Sequence, residues 1–198
     1  MKMADASGLW LSASVAGRSF EVLNLDHPAV TEGVLQDMTT GVAVYYDTRW
    51  RTTDAFCRFL SAAPQWVADK TVLILGAGIG LETLLVGSLC GKLYVNDLAP
   101  GALQLCLEQL RRNGMEEVIG LPGRYETLNI PPVDLLVGCF LVYNGETAAS
   151  LRRLLKRGAP PLLLMNDNLP VFRRLLRQSS RDVQTVALIE DYPCVLFT

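Results

Sequence analysis

An apolar run that ends in three closely spaced glycines is the feature that most constrains this chain. Residues 72–75 are Val-Leu-Ile-Leu, and glycines follow at positions 76, 78 and 80. The run predicts a buried strand, and the glycines predict a sharp turn into a helix, because glycine adopts backbone angles that side chains disfavour. A second apolar segment ends on Asp97, where a carboxylate could accept both hydroxyls of a ribose. Together these segments predict a nucleotide or nucleoside pocket at the start of a helix.

The spacing of the glycines indicates which nucleoside is bound. A dinucleotide fingerprint has glycine at its first, third and sixth positions, and the sixth position counted from Gly76 is Leu81. The Gly-x-Gly-x-Gly spacing favours S-adenosylmethionine (SAM) over NAD, because SAM has no pyrophosphate that needs a close helix terminus. An NAD-dependent oxidoreductase is the weaker alternative. A turn whose glycines serve only the backbone is the alternative without a ligand.

Length and composition exclude several classes of protein. The chain has 198 residues, half of them hydrophobic, which predicts one unit with a substantial core. We expect residues 1–50 to form an N-terminal hairpin and loop, and residues 51–198 to form the ligand-binding core. The formal net charge of -2 argues against a nucleic-acid or anionic-membrane binder. No apolar run reaches the length that spans a membrane.

The cysteines and the single histidine restrict the chemistry. The five cysteines are scattered, form no CxxC pair and lie mostly among apolar neighbours, which is typical of reduced residues in a cytoplasmic protein. His27 is the only histidine, so we expect neither a zinc site nor a histidine-based triad.

The first sixty residues contain an N-terminal hairpin and one helix. Residues 9–25 alternate apolar and polar around Ala16-Gly17-Arg18, which predicts a β-hairpin. We interpret residues 27–41 as a loop rich in turn formers, followed by a short extended segment over residues 42–46. Apolar residues at helical spacing predict a helix over residues 52–60.

From residue 71 onward, predicted strands and helices alternate. Strands are expected at 71–75, 92–96, near 117–121, at 133–140 and at 162–165, with helices between them and after the last. Only two residues separate the final β segments, 184–190 and 193–197, and so short a link requires an antiparallel pair. The predicted fold is α/β, a three-layer Rossmann-like sandwich. Its seven-stranded sheet is mostly parallel with an antiparallel last strand, and the N-terminal β-hairpin is added to it.

Several further residues fall at spacings found in one protein family. Trp50 stands nine residues before Phe59, and Cys139 stands four before Tyr143. With the glycine turn, Asp97 and an aromatic residue after the third strand, the chain resembles the seven-strand (class I) SAM-dependent methyltransferases, in particular the small protein lysine methyltransferases. The resemblance implies SAM as the cofactor. It also implies a cofactor site made of Trp50, Gly76, Ala77, Gly78, Asp97, Leu98, Tyr125 and Cys139.

The chain departs from that family at two places. Ile74 stands where the family usually has an acidic residue, and Phe140 replaces the first residue of its Asp-x-x-Tyr motif, while Tyr143 keeps the last. A lysine ammonium, with an ordinary pKa of about 10.4, must lose its proton before its nitrogen attacks a methyl group. A carboxylate could orient that amine, whereas Phe140 offers only a π face.

Three outcomes of the change at Phe140 remain open. Asp167, just past the fifth strand of the core, could supply the missing acid from an adjacent loop. The acceptor could instead be another nucleophile, such as a small amine or a different side chain. The chain could also bind the cofactor without catalysis. Tyr143 is the other catalytic candidate, as a positioning hydroxyl rather than a base.

The resemblance implies a SAM-dependent methyltransferase that acts on a nitrogen of a protein side chain, with lysine favoured. A non-catalytic interaction module on a methyltransferase scaffold is the alternative of another class. Arginines crowd the last third of the chain, and we interpret them as solvated helix faces or, alternatively, as a docking surface for an acidic protein partner. They are Arg152, Arg153, Arg157, Arg173, Arg174, Arg177 and Arg181.

Overall fold

A two-stranded hairpin and a seven-stranded sheet flanked by helices make up the computed structural model, which describes residues 8–39, 41 and 44–198. The elements in chain order are β1 (Trp10–Val15), β2 (Arg18–Leu23), α1 (Pro28–Met38), α2 (Arg51–Ala62), β3 (Thr71–Leu75), α3 (Leu81–Gly87), β4 (Lys92–Asp97), α4 (Pro100–Arg112), β5 (Ile119–Pro122), β6 (Leu135–Cys139), α5 (Gly145–Lys156), β7 (Leu162–Met165), α6 (Pro170–Arg177), β8 (Val183–Ile189) and β9 (Tyr192–Phe197). A short 3-10 helix, Pro64–Trp66, lies between α2 and β3.

The order of the strands places a ligand-binding crevice at the middle of the sheet. The order is β5-β4-β3-β6-β7-β9-β8, with β3 parallel to both β4 and β6. The last strand, β9, is antiparallel to both β7 and β8. The predicted α/β sheet of seven strands with an antiparallel last strand is therefore confirmed. Because the chain runs outward from β3 to β5 and then returns to the other side of β3, the switch point lies at the carboxyl ends of β3 and β6.

Alternation along β3 separates two apolar layers. Val72 and Ile74 pack into a cluster with residues of α2, α3 and α4, whereas Leu73 and Leu75 pack into a second cluster with α5 and α6. A strand covered on both faces has no polar side, which explains its continuous apolar sequence. Helices therefore cover both faces of the sheet, and the predicted three layers are confirmed.

The N-terminal hairpin is confirmed and is attached to α4. Ala16 and Gly17 both have positive φ angles, 50° and 82°, as a two-residue hairpin turn requires. Gln109 of α4 accepts a hydrogen bond from the backbone N–H of Leu23 over 2.8 Å. Asn113, just past α4, accepts one from the N–H of Glu21 over 2.9 Å. These bonds hold the hairpin against the helix that follows β4.

The prediction of a loop over residues 27–41 is wrong, because most of this segment is helix α1. His27 caps the helix by accepting the N–H of Ala29 on Nδ1 over 3.2 Å, and Pro28 occupies the first turn. Val30 and Val34 are buried one turn apart. The helix was not predicted because turn-forming residues begin the segment and only these two apolar residues show the helical spacing.

The C-terminal end of α1 is fastened to the N-terminal end of α4. The carboxylate of Asp37 accepts the N–H of Gly101 over 3.0 Å and the hydroxyl of Tyr46 over 3.0 Å. The predicted extended segment over residues 42–46 begins outside the described residues, and residues 44–46 form no strand. Tyr46 instead anchors this segment above α4.

Several arginines of the last third serve the fold. Arg153 pairs with the buried carboxylate of Glu126 over 3.2 Å, and Arg157 donates to the backbone oxygen of Glu126 over 2.6 Å. Arg181 donates to the backbone oxygen of Leu155 over 3.0 Å. Docking of an acidic partner on this region stays a prediction. Within the described residues, no helix combines the length and the apolar character needed to cross a bilayer.

Candidate functional site

One large cavity opens at the switch point of the sheet. Its volume is about 890 Å³, near the upper end of the range of roughly 300–1,000 Å³ that holds small molecules. The walls come from the hairpin, the segment 44–50, the glycine turn after β3, and the loops after β4, β5 and β6. Ligands of open α/β sheets bind at this place, and the volume leaves room for a second reactant beside a nucleoside.

The glycine turn closes around Asp97. Gly76 and Gly78 have φ angles of 56° and 52°, in the left-handed region that side chains disfavour. The N–H of Gly78 donates to Oδ2 of Asp97 over 2.8 Å, and the N–H of Ala99 donates to Oδ1 over 2.8 Å. Burial raises the pKa of Asp97, and these N–H groups oppose that effect. Each ionised carboxylate oxygen can accept a second hydrogen bond, so the pair can still receive two donors from a ligand.

The structure brings all eight predicted cofactor residues to this cavity. Tyr125 follows β5 and donates its hydroxyl to the backbone oxygen of Thr147 over 3.5 Å. Cys139 ends β6, with its sulfur 3.8 Å from the hydroxyl of Thr53. Their contact with a ligand stays a prediction. The eight lining residues are Trp50, Gly76, Ala77, Gly78, Asp97, Leu98, Tyr125 and Cys139.

Four aromatic side chains, which we call the aromatic cluster, line the outer part of the cavity: Tyr45, Trp50, Phe140 and Tyr143. The ring centroids of Trp50 and Phe140 are 4.6 Å apart, and those of Phe140 and Tyr143 are 5.8 Å apart. Tyr45 meets Tyr143 edge-on at 5.9 Å. Aromatic rings present π faces, which attract cations.

Phe140 holds an unusual backbone conformation at the end of β6. Its φ angle is 52°, which costs a residue with a side chain roughly 1–2 kcal/mol. Its N–H donates to the backbone oxygen of Met165 over 2.9 Å, and its ring lies between Trp50 and Tyr143. These contacts hold the strained residue in place, and strained backbone of this kind clusters at functional sites.

Tyr143 is placed to position a reactant rather than to remove a proton. Burial, with contributions from Tyr45 and Glu146, raises the pKa of its hydroxyl. It therefore stays protonated at neutral pH, since an ordinary tyrosine already titrates near 10. The Tyr143 N–H donates to the Thr147 hydroxyl over 3.1 Å, so the tyrosine is tied to the first turn of α5.

Asp167 is not among the residues that line the cavity. The carboxamide of Asn166 exchanges two hydrogen bonds of 2.8 Å with the backbone of Val142 and so points inward. Asp167 accepts a hydrogen bond from the hydroxyl of Thr52 and lines a separate, smaller pocket with Arg51. The hypothesis that Asp167 replaces the lost acid beside Phe140 is corrected by this placement, because the bonds of Asn166 direct the next residue toward α2.

Glu82 was missed in the sequence, where it looks like an ordinary acidic residue in the first turn of a helix. Its side chain is 4% exposed, lines the cavity and hydrogen bonds with Thr53. Its Oε2 has no hydrogen-bond partner among the residues that the structure describes. A side chain at Gly80 would overlap this carboxyl group unless Glu82 moved. Burial raises the pKa of Glu82 to about 7, against the hydrogen bonds from its own N–H and Thr53.

The charged residues of the cavity wall are mostly acidic. Arg49 pairs with Asp54 over 2.7 Å, and Arg124 pairs with Glu126 over 3.3 Å, so both guanidinium groups are already engaged. An excess of carboxylates favours a ligand with positive charge. The acidic residues of the wall are Asp26, Asp47, Glu82, Asp97, Glu126 and Glu146, against the two arginines.

The described part of the chain contains neither a metal-binding cluster nor a disulfide. It contains no group of three or more His, Cys, Asp or Glu side chains placed to hold a metal ion. All five cysteines are free thiols, and burial raises the pKa of Cys90 to about 11 and that of Cys194 to about 12.

Solved structures share this architecture. A 16S rRNA methyltransferase from T. thermophilus, in complex with AdoMet and guanosine, matches with a TM-score of 0.60 and 16% identity over 95% of this chain and 49% of that chain. Magnesium protoporphyrin IX methyltransferase from Synechocystis PCC 6803, with bound SAM, gives a TM-score of 0.58 and 13% identity over 86% and 90%. The chain has the class I methyltransferase fold. A ribosomal protein L11 methylase from Lactobacillus delbrueckii subsp. bulgaricus has the same fold, with a TM-score of 0.56 and 17% identity over 75% and 78%.

A methyltransferase also matches by sequence. Histone-arginine methyltransferase METTL23 from Xenopus laevis is 29% identical over 104 residues, which covers 48% of this chain and 44% of that protein. The match thus spans less than half of the relative's length. No protein-family model matches the chain.

Proposed function

We propose that this protein is a SAM-dependent methyltransferase whose acceptor is a nitrogen of a cationic protein side chain. The observation that carries the proposal is that one cavity joins the glycine turn locked on Asp97 to an aromatic cluster at its outer end. The relatives found by fold and by sequence, which are methyltransferases by name, support the same chemistry.

The residues of the cavity fit SAM. The free lone pairs of Asp97 suit the two ribose hydroxyls, and the bare backbone of Gly76 and Gly78 leaves room for the ligand beside them. The acidic wall suits a cofactor that carries a sulfonium cation. When bound, SAM supplies an electrophilic methyl group. The cofactor-binding residues would be the eight predicted from the sequence, with Glu82 added.

The outer end of the cavity supports a cationic acceptor. Tyr45 and Tyr143 are 52% and 38% exposed, so the aromatic cluster can meet a side chain that enters from a protein surface. Exposed Asp47 and Glu146 on the same wall would attract a positive charge and repel a phosphodiester backbone. This argues against a nucleic-acid acceptor, although one relative by fold acts on rRNA.

Both lysine and arginine belong to the proposed class of acceptor. The resemblance seen in the sequence favours lysine, whereas the name of the relative from Xenopus laevis refers to arginine. Phe140 and Tyr143 provide π faces and one neutral hydroxyl, which suit either cation. The acceptor is therefore proposed by its charge, and the modified residue is to be identified directly.

The chain's own contribution to methyl transfer would be to align the acceptor and to exclude water. Alignment of two bound reactants removes much of the entropic barrier of a displacement reaction. Phe140 and Trp50 supply dry walls, and the hydroxyl of Tyr143 can hold the acceptor nitrogen. A lysine would enter as the ammonium and lose its proton to solvent at the aromatic cluster before transfer, since Tyr143 stays protonated and cannot take that proton. The rate with lysine should thus rise with pH toward the acceptor's pKa of about 10.4.

Transfer of label from tritiated methyl-SAM to proteins of a cell extract tests the proposal. Labelled proteins are then digested, and mass spectrometry locates the methyl group on lysine or arginine. In the same assay at limiting SAM, Asp97→Ala should strongly reduce the label, while Lys156→Ala, an exposed residue on α5 outside the cavity wall, should leave it unchanged.

Two results would overturn the proposal at different levels. Calorimetric titrations in which neither SAM nor S-adenosylhomocysteine binds would exclude a methyltransferase. Tight binding of both without label in any protein would exclude a protein acceptor and favour a small-molecule acceptor or a non-catalytic module.

A further inference from the structure

Glu82 is a buried carboxyl group that has no cationic partner among the described residues. The charged group that acts on it is Asp54 of α2, and Glu82 in turn raises the pKa of Cys57 of α2, Cys106 of α4 and Cys139 of β6. None of these groups carries positive charge. No ion pair among the described residues includes Glu82. Buried carboxylates in proteins are normally paired, because burial of an isolated charge is costly.

Glu126 shows how the same cavity neutralises a buried carboxylate. It receives Arg124 over 3.3 Å, Arg153 over 3.2 Å and the hydroxyl of Ser150 over 3.0 Å. Burial works to raise its pKa, but hydrogen bonds from its own N–H and from these side chains outweigh burial and lower it. Within the described residues, Glu82 has only its own N–H and the hydroxyl of Thr53, and its Oε2 is unpartnered. A ligand of the cavity can therefore supply the cation that the described residues do not.

The position of Glu82 indicates which part of a ligand it meets. It lies in the first turn of α3, directly after the glycine turn whose other contact is Asp97. Thr53, its partner, also touches Cys139 at the end of β6. A nucleoside held by Asp97 would extend its substituent along the turn toward Glu82.

We propose that Glu82 binds the α-ammonium group of the methionine portion of SAM. The inference rests on the proposed function and names a cofactor-binding residue that the sequence did not reveal. An acceptor side chain is a poorer partner for Glu82, because it would enter at the aromatic cluster, whose tyrosines are exposed, whereas Glu82 is buried at the inner wall.

The binding of a cation by Glu82 requires the release of a proton. Its pKa near 7 means that about nine-tenths of the ligand-free protein holds this carboxyl protonated at pH 6. An ammonium group favours the ionised form, so binding at pH 6 should release close to one proton. Ligands without the amino-acid portion should release none from this group.

Calorimetry with two probes tests the inference without any measurement of activity. S-adenosylhomocysteine carries the amino-acid portion, and 5′-methylthioadenosine has the same nucleoside and sulfur without it. Titrations at pH 6 in two buffers of different ionisation enthalpy report the number of protons released. The variants are Glu82→Gln, of nearly equal shape, and Glu108→Gln, a control on the exposed face of α4.

We expect Glu82→Gln to weaken S-adenosylhomocysteine binding roughly 10- to 100-fold, the effect of losing a charged hydrogen bond. Proton release should disappear in this variant, and the affinity for 5′-methylthioadenosine should be unchanged. Glu108→Gln should match the wild type in all three quantities.

The experiment distinguishes failure of the role of Glu82 from failure of the proposed function. Wild-type protein that binds S-adenosylhomocysteine tightly without proton release at pH 6 overturns the role of Glu82 and leaves the methyltransferase proposal standing; this measurement needs no variant to fold. Equal loss of both ligands in a folded Glu82→Gln protein also overturns the role, because it indicates a structural effect. Absence of binding of either probe to the wild type overturns the proposed function itself.

Discussion

Replacing Glu82 by glutamine should stabilise the ligand-free protein above neutral pH. Glu82 is 4% exposed and has no ionic partner among the described residues, so its charged form is costly in the folded state alone. Glutamine keeps the shape and does not titrate. The pH-dependent part of the stability difference between the two proteins therefore isolates the charge of Glu82.

The magnitude follows from the two pKa values. Burial raises the pKa of Glu82 from 4.5 to about 7, and each unit corresponds to about 1.4 kcal/mol, so the full penalty is about 3 kcal/mol. Because the pKa of the carboxyl group is higher in the folded state than in the unfolded state, ionisation lowers the free energy of unfolding. The penalty is absent below pH 4.5, where both states are protonated, grows as the pH rises toward 7, and is constant above it. Between pH 5 and pH 8 the advantage of Glu82→Gln should grow by about 2–3 kcal/mol.

Urea denaturation of both ligand-free proteins, followed by tryptophan fluorescence at pH 5, 6, 7 and 8, measures this difference. We expect the difference in the free energy of unfolding between the two proteins to widen up to pH 7 and then to level off. A gap that is constant over the whole range would refute the reasoning, because it would show that Glu82 has a similar pKa in the folded and unfolded states.

Four other substitutions test the rest of the site. Glu126→Gln should destabilise the protein by roughly 1–3 kcal/mol at pH 7 in urea denaturation, and the loss should shrink in acid, since a lowered pKa gives stability that disappears as the carboxylate is protonated. Asp97→Ala should weaken S-adenosylhomocysteine binding by about 1–3 kcal/mol in calorimetry. Tyr143→Phe should lower kcat in the methylation assay without changing that affinity. Asp37→Ala should lower the free energy of unfolding by roughly 1–3 kcal/mol, because it leaves the buried hydroxyl of Tyr46 and the N–H of Gly101 without the carboxylate that accepts their hydrogen bonds.

Each of these expectations has a clear contrary result. A Glu126→Gln variant that is as stable as the wild type would mean that its arginines contribute little. Unchanged affinity in Asp97→Ala would place the ribose elsewhere, and an unchanged rate in Tyr143→Phe would leave this tyrosine a packing role. Full stability in Asp37→Ala would show that α1 is held by its apolar residues alone.

The strands of the central sheet were predictable because their signal is local. A strand covered on both faces must be apolar throughout, as β3 and β6 are, and the two-residue link between the final segments allows only antiparallel pairing. Helix α1 was missed because only Val30 and Val34 mark its buried face. Much of what fixes it is Asp37, whose partners Tyr46 and Gly101 lie 9 and 64 residues away in sequence.

The acceptor side of the site shows where local patterns mislead. Asp167 looked available to replace the missing acid, because it follows a strand at the correct edge of the sheet. Its direction is set by Asn166, whose carboxamide binds the backbone of Val142, 24 residues earlier. The sequence contains both residues but not the pairing between them.

By itself the sequence determined the fold class, the glycine turn and the carboxylate at the next strand end, since each depends on residues adjacent along the chain. The tertiary structure alone decided the state of the buried acids. Glu82 and Glu126 are the same residue type in the wall of one cavity, yet burial raises the pKa of the first to about 7, and hydrogen bonds from two arginines and Ser150 help to lower that of the second. The difference arises from which distant side chains reach each carboxylate, and those distances exist only after folding.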